Sequence, residues 1–373
     1  MLEVSVSRDG TDHEWDAFLE TRPDGCYQQS SLWARGKAAQ GWKPLRLVVK
    51  NRGEILGGVQ ALLRPLPLLG AAGYVSKGPV TASGDPVVEE FVLDQLDRVA
   101  RAEHILSLKV QPPRGSESVV QRLLERGARP STVTVTPPAT WCLDLRPDPE
   151  DILAQMHRTA RYNIRRAERK GVIVRVGTEA DIPTFERVRK IHAERRGYGP
   201  APRGYYRRLW SIFGDHYRIL LAEYEGQVLA VRSNIIFGDI VYAQHLVDNG
   251  LHRNLNAPSL LHWKAMLYGK ERGCTWYDFG GIEMHIARAI MNDEPISDTK
   301  AGRAAEFKRS FGGQLVLRPR AYDVSYLWPR RLTVCMIPTL MGMKPVLGFL
   351  IGGSLARHVR MRDKIGKKAT ASQ

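Results

Sequence analysis

Between residues 217 and 279 the chain is punctuated so regularly that few folds stay open to it. Tyr217 to Tyr224, Gln227 to Phe237 and Ile240 to Asp248 are strand-like runs, and only Glu225-Gly226 and Gly238-Asp239 separate them. Breaks of two residues that contain glycine suit tight hairpins, so the three runs imply an antiparallel meander. A helical run, Pro258 to Glu271, and a further strand, Thr275 to Phe279, follow it. The first half repeats this order in outline. Leu45 to Val49 and Ile55 to Leu63 flank Asn51-Arg52-Gly53, and Tyr74 to Val80 reads as a strand running into a loop. Glu89 to Glu103 carries Phe91, Leu93, Leu96 and Val99 in a helical pattern before Ile105 to Val110 returns as a strand. Such alternation predicts an α/β (α+β) protein with mixed sheets. At 373 residues the chain suits two domains.

Pro147-Asp148-Pro149-Glu150 marks a turn and a domain boundary. Beyond it, Leu153, Met156, Ala160, Ile164 and Ala167 form the apolar stripe of one expected helix that ends at Gly171. Arg158, Arg161, Arg165 and Arg169 follow a roughly opposite face, which suits either a solvated surface or contact with RNA phosphates. The segment from Arg195 to Tyr206 is broken by Gly197, Gly199, Pro200, Pro202 and Gly204, so it displays arginine and tyrosine side chains from a loop. Near the N-terminus, Ser30 and Ser31 open a helix on which Trp33 and Lys37 share a face.

A formal charge of +16 favours anionic partners without choosing among them. Cys26, Cys142, Cys274 and Cys335 lie far apart, which indicates neither a zinc site nor a disulfide framework and reads as a reduced, cytosolic compartment. The first residues carry Glu3, Arg8, Asp9 and Asp12 with no apolar run behind them, so no secretory signal is read. The sequence lacks G-x-G-x-x-G, a Walker loop, H-E-x-x-H and a G-x-S-x-G elbow, so the expected chemistry needs no cofactor or metal and uses a substrate that is already activated. His157, His192 and His262 fall on expected helices, where a structural role is the default.

The candidate centre runs from Gly280-Gly281, through an expected polar loop, to Phe307-Lys308-Arg309-Ser310-Phe311-Gly312-Gly313. A lysine held between two phenylalanines is poorly screened, which suits a developing oxyanion. A lysine snorkelling over two core rings is the bland alternative. The order of elements is also that of the GNAT-like acyltransferase fold, which elsewhere binds acetyl-coenzyme A. Its pyrophosphate loop would be Gly250 to Pro258, whose middle lacks the glycines needed for close backbone approach, so coenzyme A is a poor fit.

Gln29, Trp33 and Lys37, Ser76-Lys77-Gly78-Pro79-Val80, the run from Arg161 to Val172, Tyr277-Asp278-Phe279-Gly280-Gly281 and Phe307-Lys308-x-x-Phe311-Gly312-Gly313 together resemble the Fem family. These are aminoacyl-tRNA-dependent peptidyltransferases of peptidoglycan cross-bridge synthesis. The likeness extends from about residue 25 to residue 325, in the family's order.

The resemblance implies two tandem GNAT-like domains with a cleft between them. Residues 1–147 with 314–325 would bind the peptidoglycan precursor, with a last strand at about 314–322 returning to this domain. Residues 148–313 would take the aminoacyl-tRNA side. The partners implied are aminoacyl-tRNA and lipid II or UDP-MurNAc-pentapeptide, with glycine, alanine or serine passing to the side-chain amine of the third stem-peptide residue. Phe307 and Lys308 look like the family's catalytic pair. Lys37 looks like its diphosphate lysine, with Trp33 and Lys77 beside the substrate. Arg203 and Tyr206 look like its arginine and tyrosine, though one residue too close together. Arg158, Arg161, Arg165 and Arg169 are the expected tRNA contacts.

Two departures stand out. Gln111 occupies a position where relatives often carry an acid, and no coiled-coil arm is present, which favours the arm-less FemX type. The tail, 326–373, is apolar from Leu332 to Ala356 and then basic, and suggests either an anchor at the inner membrane face or helices packed on the first domain. Two other readings stay open: a Fem-like transferase acting on a small secondary metabolite, and a basic RNA-binding protein that kept the fold without the chemistry.

Overall fold

The computed structural model describes residues 2–326, apart from 83 and 200. Two mixed sheets form its frame. In the first, Leu2–Ser7, Lys43–Asn51, Glu54–Leu66 and Gly70–Ser76 pair antiparallel in chain order. Ile105–Gln111 then joins parallel to Gly70–Ser76, after the crossover helix Pro86–Ala102. The second sheet repeats the scheme with Ile173–Val176, Tyr217–Tyr224, Gln227–Phe237 and Ile240–Asp248, after which the helix Ala257–Glu271 carries the chain to a parallel partner, Trp276–Ile282. The hairpin expected in the first half and the meander expected in the second are therefore both present, each followed by a crossover helix.

The halves are not independent bodies. One core cluster takes Trp15, Leu19, Tyr27 and Val80 from the first half and Phe185, Tyr206, Phe213, Tyr217 and Phe237 from the second. A separate cluster on the other face of the second sheet holds Met156, Ile164, Leu260, Tyr277 and Phe311. Burial of that many large apolar side chains across the join fixes how the sheets meet.

The structure departs from the expectations in four places. The single helix expected through Met156 is two, Pro149–Gln155 and Arg158–Arg169. Extended backbone at Met156 and His157 breaks it, while Met156 still drops into the core and so keeps the apolar stripe in phase. The expected loop between Gly281 and Phe307 contains the helices Met284–Met291 and Lys300–Arg309, so Lys308 sits in a last helical turn. The expected strand at 314–322 is two strands, and only Tyr322–Ser325 enters the first sheet. Gln314–Leu317 pairs with Ala139–Asp144, and both lie in the second sheet, although Ala139–Asp144 precedes the expected boundary at 147. Cys335 and the expected anchor segment, 332–356, lie outside the described residues. Among the described residues, no helix is long and apolar enough to cross a membrane.

Candidate active site

The parallel ladder between Ile240–Asp248 and Trp276–Ile282 runs from Ile240↔Trp276 to Tyr242↔Asp278 and stops there, although both strands continue. On the other side of Trp276–Ile282 the pairing is irregular between Asp278 and Gly281. Backbone that leaves its ladder re-aims side chains and frees peptide groups. Asp278 lies at this divergence. Its buried carboxylate accepts from the Thr140 hydroxyl, from the Gly280 N–H at 2.7 Å and from Arg318 Nη2 at 2.8 Å. Burial opposes its ionisation, but the Arg318 and Lys77 charges and these hydrogen bonds outweigh it and hold the carboxyl below its ordinary range.

Lys308 stands beside this carboxylate. Its helix starts at Thr299, whose side chain accepts from the Gly302 N–H at 3.0 Å, and the chain then turns through Gly312 and Gly313 at φ +77° and +88°. At Gly313 the conformation has no substitute, because a Cβ there would lie 2.3 Å from the Cys142 carbonyl oxygen. The half-buried Lys308 donates its ammonium to the carbonyl oxygens of Gly280 at 2.9 Å and Gly281 at 2.7 Å. Burial lowers its pKa to about 8, with Asp278 resisting and Arg232 and Arg318 assisting. Phe307 and Phe311 form the expected apolar wall, their rings 5.2 Å apart and edge-on. Both pack against His262, which burial keeps neutral well below the usual pKa of its kind. Arg232 Nη1 lies 3.0 Å from His262 Nε2, and Tyr277 OH lies 3.1 Å from Nδ1.

Lys77 reaches the same centre from the first sheet. It follows Gly70–Ser76 at φ +54°, and its buried ammonium lies 5.3 Å from the Tyr242 ring centroid. Burial first, and then the Arg318 charge, lower its pKa. Tyr242 packs on Tyr27 at 4.9 Å, and Tyr27 OH accepts from Gln244 Nε2 at 3.1 Å, so residues of both halves close around the site.

A second group lies on the helix Ser31–Ala38. Ser30 caps it by accepting from the Trp33 N–H at 3.2 Å, and one turn later the Lys37 ammonium sits 4.3 Å from the Trp33 ring centroid. Lys37 is 2% exposed, and burial lowers its pKa to about 7. One small cavity beside this helix is lined by Gly36, Gln40, Tyr205, Arg208 and Leu209, and another by Gln28, Trp33, Tyr74, Ser76 and Thr136.

Several expected site residues are placed differently. Tyr206 does not face the cavity: it is buried against Phe185 at 4.3 Å, because Tyr206, Leu209 and Phe213 form the core stripe of their helix. Its neighbour Tyr205, with Arg208, lines the cavity beside the Lys37 helix instead, and Arg203 is exposed. Of the four arginines on Arg158–Arg169, Arg158, Arg165 and Arg169 are exposed. Arg161 turns back and donates to the Ala154 and Met156 carbonyl oxygens at 2.9 and 2.5 Å, closing the end of the preceding helix. Gln111 is buried and ties loops together, donating to Pro319 O at 3.0 Å and accepting from Thr136 N at 2.7 Å. Asp278, Arg318, Tyr242 and Thr140 were not singled out by the sequence reading. For Asp278 a signal exists, since a carboxylate ahead of a glycine pair inside an apolar strand invites the question of what compensates it.

The sequence model of the FemAB family matches residues 11–122, 130–232 and 225–318. A lipid II:glycine glycyltransferase of Staphylococcus haemolyticus is 27% identical over 212 residues, 54% of this chain and 51% of that protein. One from Staphylococcus aureus is 26% identical over 217 residues, 55% of this chain and 51% of that protein. The chain thus spans about half the length of the curated relatives it matches. Among solved structures, FemX superposes with a TM-score of 0.77 at 19% identity, over 86% of this chain and 97% of that one. A tandem GNAT protein from the clavulanic acid biosynthesis pathway gives 0.50 at 14% identity, over 87% of this chain and 98% of that one. The shared fold is two GNAT-like units in tandem.

Proposed function

The chain belongs to the FemAB family, and on that footing we propose that it is an aminoacyltransferase that moves an amino acid from aminoacyl-tRNA to an amine of a peptidoglycan precursor. The names of its relatives favour glycine as the amino acid and lipid II as the acceptor. The acceptor amine is that of the third stem-peptide residue, on lipid II or UDP-MurNAc-pentapeptide. One observation carries this reading: Lys308 is a cation seated on two carbonyl oxygens at a divergence of strands, beside the Asp278 carboxylate that also faces Arg318 and Lys77.

An aminoacyl ester is activated already, so its aminolysis needs positioning and help for the negative charge that appears on the carbonyl oxygen. The neutral amine attacks, the C–N bond forms, and the Lys308 ammonium stabilises the oxyanion. The C–O bond to the ribose then breaks, and the proton leaving the amine goes to the departing ribose oxygen through the neighbouring hydroxyl. Lys37, buried with no acid beside it among the described residues, is suited to the precursor's diphosphate. Arg158, Arg165 and Arg169 are suited to tRNA phosphates.

Incubation with glycyl-, alanyl- and seryl-tRNA and either acceptor, followed by product mass, tests the reading. The expected product is heavier by one residue, and Lys308→Ala lowers turnover by about 10²-fold or more while acceptor binding stays within a few-fold. No mass increase with any donor, or wild-type turnover in that variant, would overturn it.

A further inference from the structure

At the tip between Glu54–Leu66 and Gly70–Ser76 the chain reads Leu66-Pro67-Leu68-Leu69. Leu66 is buried with Trp42 and Tyr74, which anchors the base of the turn, but Leu68 is 105% exposed and Leu69 53% exposed. Leu68 also adopts φ +63°, a left-handed conformation that leucine rarely takes. The fold thus holds a leucine in an unfavourable backbone state and projects it away from the core.

Two further features converge on this end of the sheet. The Ala71 N–H donates to His104 O at 3.2 Å, and the Tyr326 N–H donates to Leu106 O at 3.0 Å. The described chain therefore leaves the first sheet next to the leucine tip. The sequence that follows is Leu327-Trp328-Pro329-Arg330-Arg331, then apolar to Ala356, then basic. Charges of both signs lie at the exit, where the Tyr326 hydroxyl donates to Asp97 Oδ1 at 2.8 Å. Arg98 and Arg101 are exposed, with the Arg101 guanidinium 5.6 Å from the Tyr326 ring centroid, and the adjacent Glu103 is paired with Arg8 at 2.5 Å.

We propose that this end of the first sheet docks on an anionic lipid bilayer, with Leu68 and Leu69 entering the interface and the basic residues near Tyr326 resting on the headgroups. Exposed apolar side chains supply the burial, and the cations supply the attraction to anionic lipid. The geometry also suits a lipid-borne acceptor. Gly70–Ser76 runs from the tip to Lys77, and at about 3.3 Å per residue its length is roughly 20 Å. A diphosphate, a sugar and a few extended peptide residues at up to ~3.5 Å each can bridge that span. This last step rests on the acceptor proposed above, whereas the docking itself does not.

The test uses the full chain and sedimentation with phosphatidylcholine vesicles containing phosphatidylglycerol, without acceptor. Leu68→Asp/Leu69→Asp is expected to weaken vesicle partitioning by about tenfold or more. Turnover of the water-soluble UDP-linked acceptor should stay at the wild-type level, so a failed docking surface is distinguishable from a failed enzymatic reading. A nitroxide on Leu68→Cys in a Cys335→Ser background should move below the headgroups when vesicles are added. Unchanged partitioning of the double variant, absence of vesicle binding by the wild type, or a nitroxide shielded before vesicles are added would overturn the proposal. The last result would mean that the chain's own tail covers the tip.

Discussion

Asp278 and Lys308 hold the same residue from its two ends: Gly280 gives its N–H to the Asp278 carboxylate at 2.7 Å, and its carbonyl oxygen accepts from the Lys308 ammonium at 2.9 Å. Gly280 itself sits at φ +86°. The carboxylate thus fixes the lysine's position through the backbone while also acting on its charge, since Asp278 raises the Lys308 pKa against the effect of burial. Two consequences follow for pH dependence. A cationic Lys308 is present below its pKa of about 8 and is lost as the pH rises through it. Asp278→Asn removes the negative charge that raises this pKa, so the alkaline limb of kcat should move to lower pH and kcat at pH 7.5 should fall by about tenfold. Profiles of kcat against pH for both proteins decide it, and a limb that stays in place would show that Asp278 acts on structure alone.

How much of this was legible beforehand differs between fold and site, for physical reasons. The meanders could be read because glycine-containing breaks at Glu225-Gly226 and Gly238-Asp239 leave one short-range solution. The helix break at Met156 could not, because Met156 keeps the apolar phase on both sides of it and no proline or glycine marks it. Lys308 and its two phenylalanines announce themselves within five residues. Their counter-charge does not: Asp278 is compensated by Arg318 and Thr140, which come from two other strand regions and meet it only in the folded chain. Whether Tyr206 faces the core or a cavity turns on a single residue of helical phase, which the preceding Gly- and Pro-rich loop leaves undetermined.

Lys37 should cost the protein stability. Its pKa falls from 10.5 to about 7 by burial, so between those values the unfolded chain holds a proton that the folded chain releases. In that window the wild type should gain stability as pH rises, and Lys37→Met should lose this slope. At pH 7 the variant should be more stable by roughly 1–3 kcal/mol, since a buried amine with no acid beside it among the described residues is replaced by an apolar chain of similar length. Its KM for the acceptor should rise by about tenfold or more, because a diphosphate would lose a charge-assisted partner. Chemical denaturation at pH 7 and 9.5 together with steady-state kinetics checks both halves. A variant that is less stable than the wild type would show that Lys37 has a structural partner.

The two adjacent tyrosines should separate stability from binding. Tyr206 is 1% exposed and packs on Phe185 and Tyr205, so Tyr206→Ala should destabilise by about 3–5 kcal/mol, as expected for removing a core aromatic ring. Tyr206→Phe, which keeps the ring, should leave KM for the acceptor within twofold. Tyr205→Ala should instead raise that KM several-fold, because its ring lines the cavity beside the Lys37 helix. Melting curves and KM values for the three variants give the comparison. The opposite pattern, with KM following Tyr206, would make Tyr206 the tyrosine that meets the acceptor.

The arginines of Arg158–Arg169 divide in the same manner, and salt is the discriminating variable. Arg165 and Arg169 are exposed, so reversing both to glutamate should raise KM for the charged tRNA by about tenfold at 50 mM salt and by less at 200 mM. The slope of log KM against log salt should become shallower in that variant, because fewer phosphate contacts release fewer counterions. Arg161 is committed to the Ala154 and Met156 carbonyl oxygens, so Arg161→Ala should leave this slope unchanged and cost about 1–3 kcal/mol of stability through the lost charge-assisted hydrogen bonds. Equal salt slopes in the wild type and the Arg165→Glu/Arg169→Glu variant would move the tRNA to another face of the protein.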